Sequence, residues 1–154
     1  MNLSNQIVDP GSRGGSRGQR GIALIEFALV TPLLLLLLAG VLDYAMALRT
    51  AMCLADAARA GARYGSQSST NSTDIAGMQA AAVNSAPDVA GITATAARSC
   101  RCTDGSTVSC SGSCAGGMQV YVTVTAQATS PTLFYYSGLP FSGAASASAV
   151  MRAQ

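Results

Sequence analysis

Histidine, lysine and tryptophan do not occur in this 154-residue chain. Their absence removes most nucleophile–base pairs and the large aromatic platforms. The seven acidic residues are scattered rather than paired, and no glycine-rich loop sits between a strand and a helix to cradle a phosphate. Serine and threonine are plentiful, but no base stands by to activate them. The chain is therefore not expected to be an enzyme, and neither a cofactor nor a metal is expected.

Charge is scarce too, at 10% of residues, and all nine basic residues are arginine. Arg13, Arg17 and Arg20 face only Asp9 ahead of Gly21. Beyond Gly21, Arg49, Arg59, Arg63, Arg98, Arg101 and Arg152 balance Glu26, Asp43, Asp56, Asp74, Asp88 and Asp104. A neutral segment has no basic stripe with which to displace counterions, so no nucleic acid is expected as a partner. The basic excess ahead of Gly21 is instead a topology signal. It puts the leader in the cytoplasm and everything after the apolar run on the far side of a membrane.

That apolar run is the chain's dominant feature. Phe27 to Leu42 contains no charge, and extending it back to Ile22 adds only Glu26. Twenty-one helical residues rise roughly 30 Å, the thickness of a bilayer's hydrocarbon core. A buried soluble helix is the alternative, but the six leucines from Leu33 to Leu38 leave no polar face for water. The lipid bilayer is thus the first expected partner. Pro32 lies inside the span, removes one backbone hydrogen bond and should kink the helix.

Around this run the chain divides into three parts. Residues 1–21 form a polar Gly/Ser/Arg leader, expected to be disordered up to Arg20. Residues 22–66 read as one helix that crosses the membrane and continues outside it, since Asp43 to Tyr64 is rich in Ala, Leu, Met and Arg. Ala51, Ala55, Ala58 and Ala62, with Gly61 and Gly65, form a small-residue stripe on its outer half. The stripe suits close approach of another helix or of this protein's own sheet. Residues 67–154 read as a small α+β domain. Its first part, to Thr73, is a Ser/Thr/Asn loop. Asp74 then caps a short helix through Ile75, Met78, Ala82 and Val83, stopped by Pro87. Alternation predicts strands over Ile92–Ala96, Met118–Ala126 and, more weakly, Gly143–Arg152. In the second of these, Val120, Val122 and Val124 share one face. The expected fold class is α+β, with a long N-terminal transmembrane helix packed against a small antiparallel β-sheet.

Cys100, Cys102, Cys110 and Cys114 crowd into a loop spanning residues 100–114. Outside the cytoplasm disulfides are their expected state. A Cys100–Cys102 bond would be strained. That leaves Cys100–Cys110 with Cys102–Cys114, or Cys100–Cys114 with Cys102–Cys110. A four-thiolate zinc site fits these spacings poorly. Cys53, alone on the long helix, reads as a buried small hydrophobe.

Glu26 is the residue that needs a reason. A carboxylate in lipid must find a cation or take up a proton. Beyond the span the first cation is Arg49, roughly 34 Å along the helix. Arg20 is nearer, but a cut after Gly21 would remove it and free the Ile22 α-amine as a second charge seeking a partner. Within one helix these two meet only loosely. Between neighbouring subunits displaced by about a turn, each could satisfy the other. The alternative is that Glu26 snorkels to the cytoplasmic headgroups.

Gly21 followed by Ile22-Ala23-Leu24-Ile25-Glu26-Phe27 resembles the processing site of class III prepilins and pseudopilins. More narrowly, Gly21 through Glu26-Phe27-Ala28-Leu29-Val30-Thr31-Pro32-Leu33-Leu34-Leu35 is similar to TadE-like pseudopilins of tight-adherence (Tad/Flp) pilus systems. Ala57-Ala58-Arg59-Ala60-Gly61-Ala62-Arg63-Tyr64-Gly65 and the final Ala147-Ser148-Ala149-Val150-Met151-Arg152 add to the likeness. The resemblance implies cleavage between Gly21 and Ile22 by a prepilin peptidase on the cytoplasmic face. Glu26 and Phe27 would then serve peptidase recognition or subunit alignment. Implied partners are that peptidase, other Tad pseudopilins or pilins, and the inner-membrane assembly platform. The implied location is the bacterial inner membrane, single-pass with the N-terminus in the cytoplasm and the C-terminal domain in the periplasm, or an extracellular pilus. Flp major pilins are very short, so the outer domain argues against the main filament subunit. The rival readings are an uncleaved anchor displaying a small disulfide-braced binding domain, a secreted protein cut near Ala45-Met46-Ala47, and a periplasmic enzyme.

Overall fold

The computed structural model describes residues 17–130 and 143–153, with side chains from Gly21 onward. Seven elements follow in order: α1 (Arg17–Ser66), α2 (Ser69–Thr73), α3 (Ile75–Asn84), β1 (Thr93–Cys102), β2 (Thr107–Val108), β3 (Met118–Thr129) and β4 (Ala144–Arg152). The class is α+β, as the sequence predicts. Two compact units divide inside α1, after Leu38.

In the first unit the described residues are helical, and every one from Gly21 to Val30 is exposed. A helix long and apolar enough to cross a membrane runs over Gly21–Ser66, and none of its most apolar window is buried in the protein. Helical structure is continuous across Pro32. Proline has no N–H to give to the Ala28 carbonyl, and next to it the Thr31 hydroxyl donates to the Phe27 carbonyl at 2.6 Å.

The second unit is built on an antiparallel sheet in the order β2-β1-β3-β4. β1 pairs with β3 from Thr93 opposite Gln127 to Cys102 opposite Met118, and β3 pairs with β4 from Tyr121 opposite Arg152 to Thr129 opposite Ala144. Both registers run without a bulge, so the period of two holds along each strand. Val122, Val124, Ala126 and Ala128 of β3 all point inward and are buried. Thr123 and Thr125 lie on the opposite face, as their alternation predicts.

The outer half of α1 covers that inner face. Leu54, Ala57, Ala58 and Ala62 are completely buried, and Gly61 and Gly65 lie on the same stripe. Spacings of three and four keep these residues on one side of a helix. Their small size decides how close α1 comes. A Cβ on Gly61 would sit 2.7 Å from the Met78 carbonyl oxygen of α3 and 2.9 Å from Val124 Cγ1. The core thus forms two adjoining clusters, one of Leu54, Ala57 and Ala58 with Ala126 and Ala128, the other of Ala62, Met78 and Ala82 with Val122 and Val124. The small-residue stripe therefore serves this protein's own sheet and α3 from Ala58 onward, whereas Ala51 is exposed and Ala55 only half-buried.

Asp74 fixes the joint between α1 and α3. One carboxylate oxygen accepts the Gly77 N–H at 2.9 Å, the N-cap bond predicted from sequence, and the other accepts the Tyr64 hydroxyl at 2.9 Å. These two bonds, the backbone one first, hold the Asp74 carboxyl below the usual carboxylate range. The same contact with Asp74 raises the Tyr64 phenol above its ordinary value.

Several expectations need correction. Helix α1 begins at Arg17, so the last four leader residues are helical rather than disordered, and the remainder of the leader lies outside the described residues. The Ser/Thr/Asn stretch contains α2, capped by the Ser68 side chain accepting from the Asn71 N–H. β1 runs on to Cys102 instead of ending at Ala96. Its alternation is masked because Arg98 points inward with Cys100 while Arg101 points outward, so arginine occurs on both faces. Arg98 Nε is buried without a hydrogen-bond partner. The two-residue β2 is too short to show any period. Cys53 is half-buried rather than buried.

Two outcomes follow from this packing. Ala is favoured over Gly in a helix by about 1 kcal/mol, but a backbone carbonyl cannot swing aside as a side chain can, and overpacking costs about 1–3 kcal/mol. Gly61→Ala should therefore lower the denaturation midpoint of the second unit, whereas Gly40→Ala, with open space around its Cβ, should not. Because Asp74 is depressed, its contribution is present above the ordinary carboxylate range and lost as pH falls through the lowered value. Tyr64 is raised, so its contribution is present below about pH 10 and lost as pH rises through its folded value. Thermal melts against pH should show a smaller acid-side loss in Asp74→Asn and a smaller alkaline loss in Tyr64→Phe than in the parent.

Candidate functional site

The residues that the sequence marks for processing occupy successive turns of α1. Gly21, Ile22, Glu26 and Phe27 are all exposed, and a Cβ on Gly21 would meet nothing within 4 Å. Nothing within the described chain shields this segment from an enzyme or from a second subunit. The Gly21–Ile22 peptide lies inside regular helix, since α1 starts four residues earlier. Glycine is the residue that weakens a helix most after proline, by about 1 kcal/mol relative to alanine. Gly21 is thus a place where the helix opens at low cost.

Ile22 and Glu26 are four residues apart, one above the other on a single helix face. Among the described side chains Glu26 has no ion-pair or hydrogen-bond partner. A chain starting at Ile22 would place this carboxylate one turn from a new helix N-terminus, where unsatisfied N–H groups favour negative charge. The geometry leaves the charge for a cation from outside the described chain to satisfy.

The cysteines form the second feature. Cys100 is bonded to Cys110 and Cys102 to Cys114, with Cα separations of 5.1 and 5.5 Å. This is one of the two pairings that the spacing leaves open, and it commits all four sulfurs that a thiolate zinc site would require. Cys100 and Cys102 sit on the inward row of β1 and tie the end of that strand to the 107–114 segment. Cys100 is almost completely buried. Hydrogen bonds from the Cys102 N–H to the Ser106 carbonyl at 2.9 Å and from the Ser106 N–H to an Asp104 carboxylate oxygen at 2.9 Å close the turn between. The two Ser106 bonds, side chain first, hold the Asp104 carboxyl below its ordinary range.

On the outward face beside the brace, the Arg101 guanidinium lies 5.9 Å from the centre of the Tyr121 ring, and the Tyr121 hydroxyl donates to Gln119 Oε1 at 2.8 Å. Nothing in the sequence pairs Arg101 with Tyr121, because their proximity comes from the β1–β3 register. Thr93, Thr95, Ser99, Thr123 and Thr125 continue the same polar face.

Residues 21–63 match the model of a family described as TadE-like protein. The match begins at Gly21 and ends within the buried stripe of α1. It covers the segment on which the sequence resemblance to TadE-like pseudopilins chiefly rests. No curated protein and no solved structure matches the chain significantly.

The brace has a measurable weight. Each bond closes a loop of 10 or 12 residues, and loops of that size restrict the unfolded chain by about 3 kcal/mol. Reducing agent, or Cys102→Ser with Cys114→Ser, should lower the denaturation midpoint of the second unit. Peptide mapping without reduction should recover the 100–110 and 102–114 links and no Cys100–Cys114 link.

Proposed function

We propose that this protein is a minor pilin or pseudopilin of a Tad-type pilus system, matured by cleavage between Gly21 and Ile22. One observation carries the reading: the TadE-like match over residues 21–63 starts at Gly21. That glycine is preceded by an arginine-rich leader and followed by a carboxylate at the fifth position and a bilayer-length apolar run. Each feature is common alone. Their coincidence in one register is what a prepilin peptidase substrate requires.

In this reading the mature chain sits in the inner membrane with Ile22 at the cytoplasmic side and the sheet domain in the periplasm. The Glu26 carboxylate, costly in lipid by a few kcal/mol when alone, pairs with the Ile22 ammonium of a neighbouring subunit. Only a subunit displaced axially by about a turn satisfies both charges, so the pair sets the register of assembly. The sheet domain and its disulfide brace give the neighbour a rigid surface outside the membrane. The size of this domain sets the protein apart from the short subunits that build the bulk of such a filament, and favours a role at its tip or in its initiation. An uncleaved anchor displaying the same domain is the competing reading, and the mature N-terminus separates the two.

Intact mass and N-terminal sequencing of the membrane-extracted protein, expressed with and without a cognate prepilin peptidase, test the reading. A peptidase-dependent start at Ile22 is expected, and Gly21→Leu should leave the full-length chain. Glu26→Ala should insert as well as the parent or slightly better, because the charge is gone, yet fail to support piliation. An intact leader in the presence of the peptidase, or normal pili from Glu26→Ala, would sink the respective halves of the proposal.

A further inference from the structure

A cavity of about 220 Å³ opens beside α1 in the second unit. Met46, Arg49, Thr50 and Cys53 line it from one face of the helix, and Asp88 and Val89 line it from the loop after α3. Its walls are mainly apolar, yet it holds one cation and one anion. Among the described residues neither Arg49 nor Asp88 has an ion-pair partner within 4 Å, and both are exposed. The hydroxyl of Thr50 is already committed to the Met46 carbonyl at 3.1 Å. Arg49 and Asp88 are therefore the two charged groups left to recognise a ligand, with the Thr129 hydroxyl as a neutral polar group beside them.

We propose that this cavity binds the zwitterionic headgroup of a phosphatidylethanolamine from the outer leaflet of the membrane that α1 crosses. The proposal rests on the membrane-anchored reading above. Three observations lead to it. The first is charge: a phosphate suits the planar guanidinium fork of Arg49, and a primary ammonium suits the Asp88 carboxylate, while Met46, Cys53 and Val89 take up the carbons between. The second is position. The uncharged run ends at Leu42 and the lining begins at Met46, one turn and roughly 6 Å further along the helix, at the level of the headgroup layer. Side chains on a helix tilt toward its N-terminus, so Arg49 reaches back toward the lipid. The third is size. The cavity is smaller than the roughly 300–1,000 Å³ of sites that take drug-sized ligands, and so it fits a headgroup better than a peptide.

The same chemistry predicts selectivity. Phosphatidylglycerol offers the phosphate but no cation, so Asp88 gains only neutral hydroxyl donors from it. Phosphatidylcholine offers a cation with no N–H to donate to Asp88. Phosphatidylethanolamine alone of the three offers both a phosphate to Arg49 and an N–H-bearing cation to Asp88.

Native mass spectrometry of the full chain, released from nanodiscs of equal parts phosphatidylethanolamine, phosphatidylglycerol and phosphatidylcholine, tests this. The retained lipid should be enriched in phosphatidylethanolamine by roughly fivefold or more, the scale of one or two charge-assisted hydrogen bonds. Arg49→Gln should return it to the bulk ratio, and Asp88→Asn should admit phosphatidylglycerol. Both side chains are exposed, so neither change should disturb folding, which the two intact disulfides report. No enrichment in the parent, a preference for phosphatidylglycerol, or enrichment untouched by both variants would overturn the proposal. Carbonate extraction in parallel separates the two levels of failure. A chain that stays in the membrane without headgroup preference loses only the cavity's role, whereas a chain that washes off loses the membrane-anchored reading as well.

Discussion

Close approach between backbones is what the folded unit depends on. Among the described residues its buried hydrophobic side chains are mostly alanine, with Leu54, Met78, Val122 and Val124 the largest of those fully enclosed. A small side chain reaches little beyond its own backbone, so such a core excludes water only if helix and sheet come nearly into backbone contact. Gly61 and Gly65 make that possible by leaving α1 no Cβ where α3 and β3 press against it. Dispersion forces fall off over fractions of an ångström, so the stripe must be small throughout and correctly spaced. Where β1, β3 and β4 meet this stripe their inward residues are small too, as at Ala94, Ala96, Ala126, Ala128, Ala147 and Ala149.

A core of this kind buries little apolar area per residue, and the rest of the unit compensates with fixed connections. The Asp74 carboxylate ties the end of α1 to the start of α3 through Tyr64 and Gly77. Two disulfides hold the long excursion between β1 and β3, where no core lies beneath the chain. Small domains exported to oxidising compartments rely on such staples because their surface-to-volume ratio leaves the core short of stabilising area. The outward face of the sheet is left threonine-rich and polar, with Arg101 stacked on Tyr121. The brace thus holds a presentable surface as well as a loop.

The apolar half of α1 obeys a different solvent. Its apolar side chains are exposed along a helix long enough to cross a membrane, a surface suited to lipid rather than to water. Glu26 is the single charge in that stretch, and within the described side chains it is unanswered. A charge in an apolar stretch is costly until a partner satisfies it. Past Leu42, Arg49 and Asp88 line a mostly apolar cavity, where the same cost applies.

Where a physical signal is local, the sequence alone was enough. The bilayer-length run, the offset of Glu26 from Gly21, the Asp74 cap and the Val120–Val124 face are all periodicities or neighbour relations within a few residues. The oxidised state of the four clustered cysteines followed from topology, but the spacing left two pairings equal. Only the register that places Cys100 opposite Val108 brings Cys100 against Cys110. The continuation of β1 through Arg98 was hidden because a half-buried arginine on the inner face breaks alternation, and β2 exists only because β1 and its disulfide hold it. The sequence likewise left open whether the small stripe faced a partner or this chain's own sheet. Tertiary structure decided these points, since each depends on which residues distant in the chain share a face or an edge, and composition and spacing do not encode such distances.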